Sequence, residues 1–193
     1  FQGSPLRLLY NKFPFAPGHA LLVPQPAAEL PQYLDRQRFL LLWDLVAAAG
    51  EAVPGIGFGY NAFGAYASVN HLHFQLFVSP GGSYPVEAPG WRHNGGTDRY
   101  PLRVACFDDG SGAWNRVDRL QQDNRAFNLL YRPGRVHVIE RARQGSYQHS
   151  PWTSGFAWSE VAGGITLFDR QTFDEIDTAA LLAEFERLNA TDR

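Results

Sequence analysis

The residues best suited to chemistry lie in one short stretch, Asn70-His71-Leu72-His73-Phe74-Gln75-Leu76-Phe77, in which polar and apolar residues alternate. Side chains two positions apart on a β-strand share a face. The pattern therefore predicts His71, His73 and Gln75 on one side of a strand, with the apolar residues between them in the core. Imidazole is a nucleophile near neutral pH without an activating base. Two imidazoles and an amide on a rigid strand can form a reaction centre.

Three interpretations of the histidine pair stay open at this point. An isolated His-x-His pair is most often two solvated side chains on an edge strand. A zinc site needs three or four protein ligands, and the chain has one cysteine, Cys106, and no obvious carboxylate pair. The third interpretation is attack on phosphorus, with His73 as the nucleophile because His71 and Gln75 flank it on the same face. This last interpretation involves neither a metal nor a cofactor.

Small and polar residues near the histidines could bind a phosphate or a ribose. Gly64 lets the backbone approach a phosphate closely, and Ser68 can donate a hydroxyl group to a phosphate oxygen. Without the histidines, this segment would be interpreted as a surface loop. Asn11 ends the first predicted strand, where it could either stabilise a turn or bind ribose hydroxyls. His19 could be a structural histidine.

The elements that position these residues follow from hydrophobic periodicity and turn signals. Strands are predicted at 6–10, 19–23, 56–61, 70–77, 103–107, 127–131, 135–141 and 156–168. Helices are predicted from a cap at Asp35 to about Ala49 with Gly50 at its end, over 112–124, and after a capping box at 172–175. The glycine- and proline-rich stretch 81–96 is predicted to be a surface loop.

Composition indicates a folded protein and limits its partners. Hydrophobic residues make up 45% of the chain and charged residues 19%, so a sizeable core can form. The net charge is −2 without a long basic run, which argues against a nucleic-acid groove, and no stretch approaches the roughly 20 apolar residues that span a bilayer. The single cysteine suggests a reducing, cytoplasmic location. Residues 1–3 look like the remnant of a cleavable tag.

Several motifs together resemble a known family. Asn11, followed by Pro17-Gly18-His19 and Leu21-Leu22-Val23-Pro24, resembles the first hairpin of histidine-triad (HIT) nucleotide-binding proteins. The segment 59–75 is similar to the active-site strand of the GDP-L-galactose phosphorylase family, in which glutamine replaces the last histidine of the triad. Diadenosine tetraphosphate phosphorylases share this glutamine. Later motifs, including 127–130 and 160–163, extend the resemblance over most of 6–190.

The resemblance implies an α+β fold, in which helices flank a HIT-like antiparallel sheet. It also implies a HIT-like catalytic half over residues 4–110 and a degenerate second half over residues 111–193, packed on the same sheet as a single compact unit. A weak repeat supports this division, because a strand, a turn and a strand recur at 8–23 and 129–139.

The resemblance further implies a two-step reaction. His73 would attack the α-phosphorus of a nucleoside diphosphate sugar such as a GDP-hexose, and inorganic phosphate would then release a nucleoside diphosphate from the nucleotidyl-histidine. His71 and Gln75 would position the imidazole and the phosphate. The residues implied in nucleotide or phosphate binding are Asn11, His19, Asn61, Gly64 and Ser68. The alternatives are phosphorolysis of a dinucleoside polyphosphate and a non-catalytic nucleotide sensor.

Overall fold

A computed structural model describes residues 1–79 and 81–189, so the last four residues of the predicted second half lie outside the described part. Its strands, in chain order, are β1 (Leu6–Tyr10), β2 (Ala20–Pro24), β3 (Ile56–Asn61), β4 (Phe74–Val78), β5 (Arg103–Phe107), β6 (Ala126–Arg132) and β7 (Arg135–Arg141). They form one sheet in the order β1-β2-β4-β3-β6-β7-β5, and every neighbouring pair is antiparallel.

The helices are α1 (Arg36–Ala52), α2 (Gly110–Gln122), α3 (Trp158–Val161), α4 (Arg170–Glu175) and α5 (Thr178–Leu188). As predicted, Asp35 caps α1, and its carboxylate accepts a hydrogen bond from the Arg38 backbone N–H. The predicted end at Gly50 is wrong, because the helix continues to Ala52. Gly50 instead allows close packing, since a Cβ there would lie 2.4 Å from a ring carbon of Pro133.

Both faces of the sheet are covered. Helices α1 and α2 pack on one face, where the buried residues include Phe39, Leu42, Val46, Val117 and Leu120. Helices α3 and α5 pack on the other face with the segment before β5, and the buried residues there include Phe77, Val86, Leu130, Trp158 and Phe185. The α+β class with an antiparallel sheet and flanking helices is confirmed. No helix within 1–79 and 81–189 is long and apolar enough to cross a membrane.

The strand that carries the histidine motif begins later than predicted, at Phe74 and not at Asn70. Before it, the side chain of Gln32 takes the place of a strand partner. Its Oε1 accepts a hydrogen bond from the His73 backbone N–H (3.0 Å), and its Nε2 donates to the carbonyls of His73 (3.3 Å) and Asn61 (2.8 Å). The alternation survives, since Leu72 and Phe74 are buried while His71, His73 and Gln75 line one cavity.

The predicted strand at 156–168 is wrong, because this segment contains α3. The Glu160 carboxylate accepts a hydrogen bond from the Ala157 backbone N–H and closes the helical turn, while Trp158 and Val161 are fully buried. Apolar residues at such spacing fit a strand and a short buried helix equally well.

Two further predictions in the flanking segments are also wrong. Thr172 lies inside α4, which is capped by Asp169, and α5 has its own cap at Asp177. The stretch 81–96 is more than a surface loop, since it contains two short 3₁₀ turns and Val86 is fully buried. The predicted strands at 6–10, 56–61 and 103–107 are confirmed to the residue.

Candidate active site

Two cavities open beside β4 and meet at Gln75 and Ser68, which line both of them. The first, called the histidine cleft here, has a volume of about 520 Å³ and contains His71, His73 and Asn11. Apolar side chains of β1 and β2 form its other wall, together with Arg7 of β1. Four of the residues predicted for catalysis or phosphate binding thus share one cleft with the predicted nucleophile.

The second cavity, called the Tyr66 cleft, has a volume of about 610 Å³. Its lining includes Tyr66, Asn61, Lys12 and Glu160, together with the loop 153–155. Because the two cavities meet beside His73, one ligand could extend through both of them with its centre at Gln75. Cavities of this size are typical of small-molecule sites.

A single hydrogen bond determines which nitrogen of His73 is free to react. His73 is buried, and its Nδ1 lies 2.8 Å from the backbone carbonyl oxygen of His71. A carbonyl oxygen can only accept, so Nδ1 must carry the proton and donate it. In the neutral ring, Nε2 is then left with its lone pair. The ring therefore has the tautomer that a nucleophile at Nε2 requires.

The electrostatic environment of His73 favours this neutral form. Burial lowers the pKa of His73 below its usual value. The hydrogen bond to the His71 carbonyl opposes this shift, and the nearby His71 ring adds to it. The neutral form thus persists at a lower pH than it would in an exposed histidine.

Gln75 is held in one orientation by two donors. Its Oε1 accepts a hydrogen bond from the indole N–H of Trp158 (2.8 Å) and lies 3.2 Å from Nε2 of His19. His19 Nδ1 accepts from the Phe15 backbone N–H (3.3 Å), which puts the proton of the neutral ring on Nε2. Nε2 lies between the Asn11 Nδ2 (3.1 Å) and the Gln75 Oε1, and of these two only the Gln75 oxygen can accept that proton. With its oxygen occupied, Gln75 offers its NH₂ group to a ligand.

His19 and Asn11 form the edge of this arrangement. His19 is buried against the Phe15 ring, with ring centroids 4.2 Å apart, and burial lowers its pKa although the bond to Gln75 opposes that shift. Asn11 accepts a hydrogen bond from the Phe13 backbone N–H and so stabilises the turn, which is one of its two predicted roles. It also lines the histidine cleft. His19 acts through Gln75, whereas Asn11 can reach a ligand.

Asn61 holds the parts of the site together. Its Oδ1 accepts hydrogen bonds from the Trp158 backbone N–H (2.9 Å) and from the Asn128 side chain (2.7 Å), and its Nδ2 donates to the Tyr66 carbonyl (3.3 Å). Asn61 is buried and lines the Tyr66 cleft. Its role in binding ribose or phosphate stays a prediction, while its contacts show that it positions α3 and the segment before Ser68.

Gly64 and Ser68, which are close in sequence, have different surroundings. Ser68 is exposed at the junction of the two clefts, where a phosphate oxygen could reach its hydroxyl. Gly64 does not line either cleft. It has φ +82° and lies against the Arg143 side chain, and its carbonyl accepts from the Gln144 backbone N–H. The described contacts of Gly64 are those of a turn.

Two residues that the sequence did not indicate are essential to this geometry. Gln32 fixes the backbone at His73, and Trp158 fixes the Gln75 amide. No local signal marks either of them, because each acts over a long sequence separation: Trp158 is 83 residues from Gln75. Within 1–79 and 81–189, no group of three or more His, Cys, Asp or Glu side chains is placed to hold a metal ion.

Comparison with known proteins agrees with the motif-based resemblance. Residues 2–77 match the sequence profile of the family described as GDPGP1-like, N-terminal domain. The chain is 33% identical over 147 residues to GDP-L-galactose phosphorylase 1 of Arabidopsis thaliana, covering 67% of this chain and 32% of the plant protein. It is 38% identical over 98 residues to GDP-D-glucose phosphorylase 1 of Homo sapiens, covering 45% of this chain and 24% of the human one. It thus spans about a third or less of the length of these relatives.

The fold is similar to that of yeast Ap4A phosphorylase, with a TM-score of 0.72 over 97% of this chain and 74% of the yeast chain. The sequence identity is 17%, so this likeness concerns the fold alone. Residues 2–77 therefore match the GDPGP1-like N-terminal domain family, and the resemblance of the chain to the GDP-hexose phosphorylases, with a HIT-like fold, is confirmed.

Proposed function

We propose that this chain is a nucleotidyl-transferring phosphorylase, which cleaves a nucleoside diphosphate hexose with inorganic phosphate. One observation carries the proposal. His73 presents the unprotonated Nε2 of a buried ring in the histidine cleft, next to the point at which the two clefts meet. The similarity to proteins named GDP-L-galactose and GDP-D-glucose phosphorylase supports the class of substrate.

In the first step, the His73 Nε2 lone pair forms a bond to the α-phosphorus of the nucleotide sugar. The bond from the α-phosphorus to the bridging oxygen breaks, and hexose 1-phosphate leaves with the electron pair. The ring then carries phosphorus on Nε2 and a proton on Nδ1, so it is cationic. The hydrogen bond from Nδ1 to the His71 carbonyl stabilises that charge as it develops.

In the second step, an oxygen of inorganic phosphate attacks the same phosphorus and the bond to Nε2 breaks. The products are a nucleoside diphosphate and the neutral ring, so the phosphoanhydride energy is kept. Two displacements through a covalent intermediate replace one difficult displacement. The NH₂ group of Gln75 and the hydroxyl of Ser68, both at the junction of the clefts, can donate to the non-bridging α-phosphate oxygens.

Gln75 favours transfer to phosphate over hydrolysis. Its amide does not titrate, so it cannot protonate a poor leaving group or deprotonate water. A sugar phosphate leaves without such help, and a phosphate dianion attacks without losing a proton. Cys106 is the single cysteine of the chain and is a free thiol, so a reducing compartment such as the cytoplasm suits this protein.

The test is to trap the intermediate. The chain is incubated with GDP-glucose labelled in the guanosine moiety, without inorganic phosphate, and the labelled residue is identified by mass spectrometry. We expect a guanylylated His73 that disappears when phosphate is added. His73→Ala should lose the adduct and slow turnover roughly a thousandfold or more, because it removes the nucleophile. His149→Ala, which changes an exposed histidine, serves as the matched control.

Parallel assays with diadenosine tetraphosphate and phosphate test the alternative substrate. Faster phosphorolysis of diadenosine tetraphosphate than of any GDP-hexose would replace the proposed substrate class. A stable nucleotide complex with no adduct and no turnover would identify a nucleotide sensor. Full activity of His73→Ala would contradict the relay.

A further inference from the structure

Arg141 is a buried cation without a matching anion. It is 1% exposed, and no carboxylate within 1–79 and 81–189 lies at salt-bridge distance from it. Its guanidinium donates instead to neutral oxygens, which belong to the carbonyls of Phe156 and Ala142 and to the hydroxyl of Tyr147 (2.7 Å). A buried charge is costly without close compensation, and burial lowers the pKa of Arg141, although Tyr147, Tyr66 and the more distant charge of Glu160 oppose that shift. This buried charge lies beside the Tyr66 cleft, because the guanidinium contacts the ring of Tyr66.

Two tyrosines connect Arg141 to that cleft. A guanidinium N–H can only donate, so the Tyr147 oxygen accepts, and the hydroxyl hydrogen of Tyr147 must point to another acceptor. The acceptor is the Tyr66 hydroxyl oxygen, 3.4 Å away, which is at the outer limit of a hydrogen bond. The Tyr66 ring also lies over the guanidinium, with its centroid 4.9 Å from Cζ. The Tyr66 oxygen therefore accepts from Tyr147, and the hydroxyl hydrogen of Tyr66 is available to a ligand.

Tyr66 is held in a conformation that an aromatic residue rarely adopts. Its φ is +67°. Two buried amides maintain this geometry, because Asn61 donates to the Tyr66 carbonyl (3.3 Å) and Asn128 donates to the Ala65 carbonyl (3.0 Å). At Gly155, a Cβ would lie 2.0 Å from the Tyr66 hydroxyl oxygen. Backbone strain of this kind persists where surrounding structure enforces it, and it is concentrated at functional sites.

The Tyr66 cleft adjoins the proposed reaction centre. Tyr66 lines the same cleft as Gln75 and Ser68. Lys12 is a cation that lines this cleft, whereas Arg141 lies against the Tyr66 ring and outside the lining. The carboxylate there, Glu160, already accepts a hydrogen bond from the Ala157 backbone N–H. An anion bound in this cleft would add negative charge near Arg141, which has no carboxylate at salt-bridge distance among the described residues and only the more distant Glu160.

We propose that the Tyr66 hydroxyl binds a phosphate group in the Tyr66 cleft, and that Tyr147 and Arg141 are positioning residues that polarise this hydroxyl. This inference rests on the proposed function in one respect, that the phosphate group is the one leaving from or attacking the α-phosphorus. The bound class is a phosphate monoester or free phosphate. Charge-assisted hydrogen bonds of this type are stronger than neutral ones.

The experiment measures binding in the absence of turnover. The chain is titrated with inorganic phosphate and, separately, with glucose 1-phosphate, with no nucleotide present, and binding is followed by calorimetry. We expect Tyr66→Phe to weaken binding of at least one probe about tenfold, as loss of a hydrogen bond to a charged group predicts. Tyr147→Phe should weaken it roughly threefold, because it acts through the longer contact. Tyr33→Phe, which changes an exposed tyrosine, is the control.

A second readout separates positioning from a merely structural role of Tyr147. With tyrosine labelled with ¹³C at Cζ, phosphate should shift the Tyr66 signal in the wild type, and this shift should shrink in Tyr147→Phe. Weaker binding of inorganic phosphate alone assigns Tyr66 to the attacking group, and weaker binding of glucose 1-phosphate alone assigns it to the leaving group.

Unchanged binding of both probes by Tyr66→Phe would overturn the inference. That outcome is distinct from failure of the proposed function. A chain that phosphorolyses GDP-glucose while Tyr66→Phe binds both probes normally keeps the function and loses the inference. A chain that never forms the adduct, yet whose Tyr66→Phe variant binds phosphate weakly, loses the function and keeps the site.

Discussion

The Gln75 side-chain oxygen accepts hydrogen bonds from the Trp158 indole and the His19 ring, and this leaves the NH₂ group facing the junction of the clefts. The indole N–H is the stronger constraint, because its 2.8 Å bond is the shorter of the two. Trp158 is fully buried and stacks on Phe77, with ring centroids 4.9 Å apart. It can therefore hold the amide without moving itself.

Trp158→Phe should keep the aromatic packing but remove the donor, so that the Gln75 amide can rotate. We expect the rate of adduct formation in a single turnover to fall by about tenfold. Loss of a donor that touches the reacting group itself costs more, and the indole acts only through Gln75. Affinity for the nucleotide sugar should change less than the rate. Trp91→Phe is the matched control, since its indole also donates a hydrogen bond, to the Pro85 carbonyl. Adduct formation at the wild-type rate in Trp158→Phe would contradict this role.

At this scale, the sequence predicted the residues that share a face but not the residues that orient them. Period-two alternation placed His71, His73 and Gln75 on one side, because that pattern depends only on local backbone geometry. Trp158 and Gln32 reach the same site from distant segments, and pairing over such separations leaves no local pattern.

At the scale of elements, β3 approaches α3 more closely than side chains would allow. A Cβ at Gly59 would lie 2.1 Å from an indole carbon of Trp158. Gly59 is also the register partner of Gln75 on β4 and of Leu130 on β6. The glycine lets the indole lie across the middle of the sheet, where its N–H reaches Gln75.

Gly59→Ala should therefore displace Trp158 or strain β3. We expect a loss of unfolding free energy of about 1–3 kcal/mol, as is typical of an overpacked core. Chemical denaturation followed by tryptophan fluorescence measures it. Gly90→Ala is the control, because a Cβ there would meet a side-chain oxygen of Asp98 at an ordinary 3.5 Å. Equal stability of Gly59→Ala and the wild type would show that the indole can move without cost.

Elements with strong local signals were predictable, and those defined by packing were not. The strand 56–61 and the hairpin of β6 and β7 are marked by apolar runs and an Arg132-Pro133-Gly134 turn. The short helix α3 depends on the fit of Trp158 and Val161 into a core that other segments build. Its apolar residues therefore carried no indication of helix over strand.

Across the whole molecule, a histidine far from the clefts should control acid stability. His137 is fully buried on β7, and its Nε2 donates to Asn94 Oδ1 (3.1 Å). The His93 ring is 5.7 Å away between centroids. Burial lowers the pKa of His137 to about 3, and the charges of His93, Arg135 and Arg132 act in the same direction.

The unfolded chain binds a proton at His137 near the ordinary pKa of 6.5, whereas the folded chain does so only near 3. The stabilising contribution is therefore complete above pH 6.5 and is lost as the pH falls from that value. His137→Gln keeps a donor for Asn94 but cannot titrate. Its unfolding free energy should fall less steeply with acid, by up to about 1.4 kcal/mol per pH unit.

Denaturant unfolding from about pH 7 to about pH 4 measures this slope, because His137 of the unfolded chain takes up its proton in this interval. His149→Gln, which changes an exposed histidine, is the control. If His137→Gln and the wild type lose stability in parallel, proton uptake at His137 does not determine acid unfolding.

The division into halves at residue 110 stays a prediction. Two strand pairings cross that boundary, and the one called the seam here is β3 with β6, where Asn61 and Asn128 are register partners whose side chains are also bonded at 2.7 Å. β5 lies in the predicted first half, yet it pairs with β7.

This seam has a consequence for how the sequence can change over generations. The proposed nucleophile, His73, lies before the seam, while the indole that orients Gln75 lies after it. A recombination that joined the first half to a second half from another protein would keep His73 and Gln75 but lose the Trp158 indole that orients Gln75. Substitutions on either side of the seam are therefore expected to be accepted in pairs, and the two segments to descend together as one heritable unit.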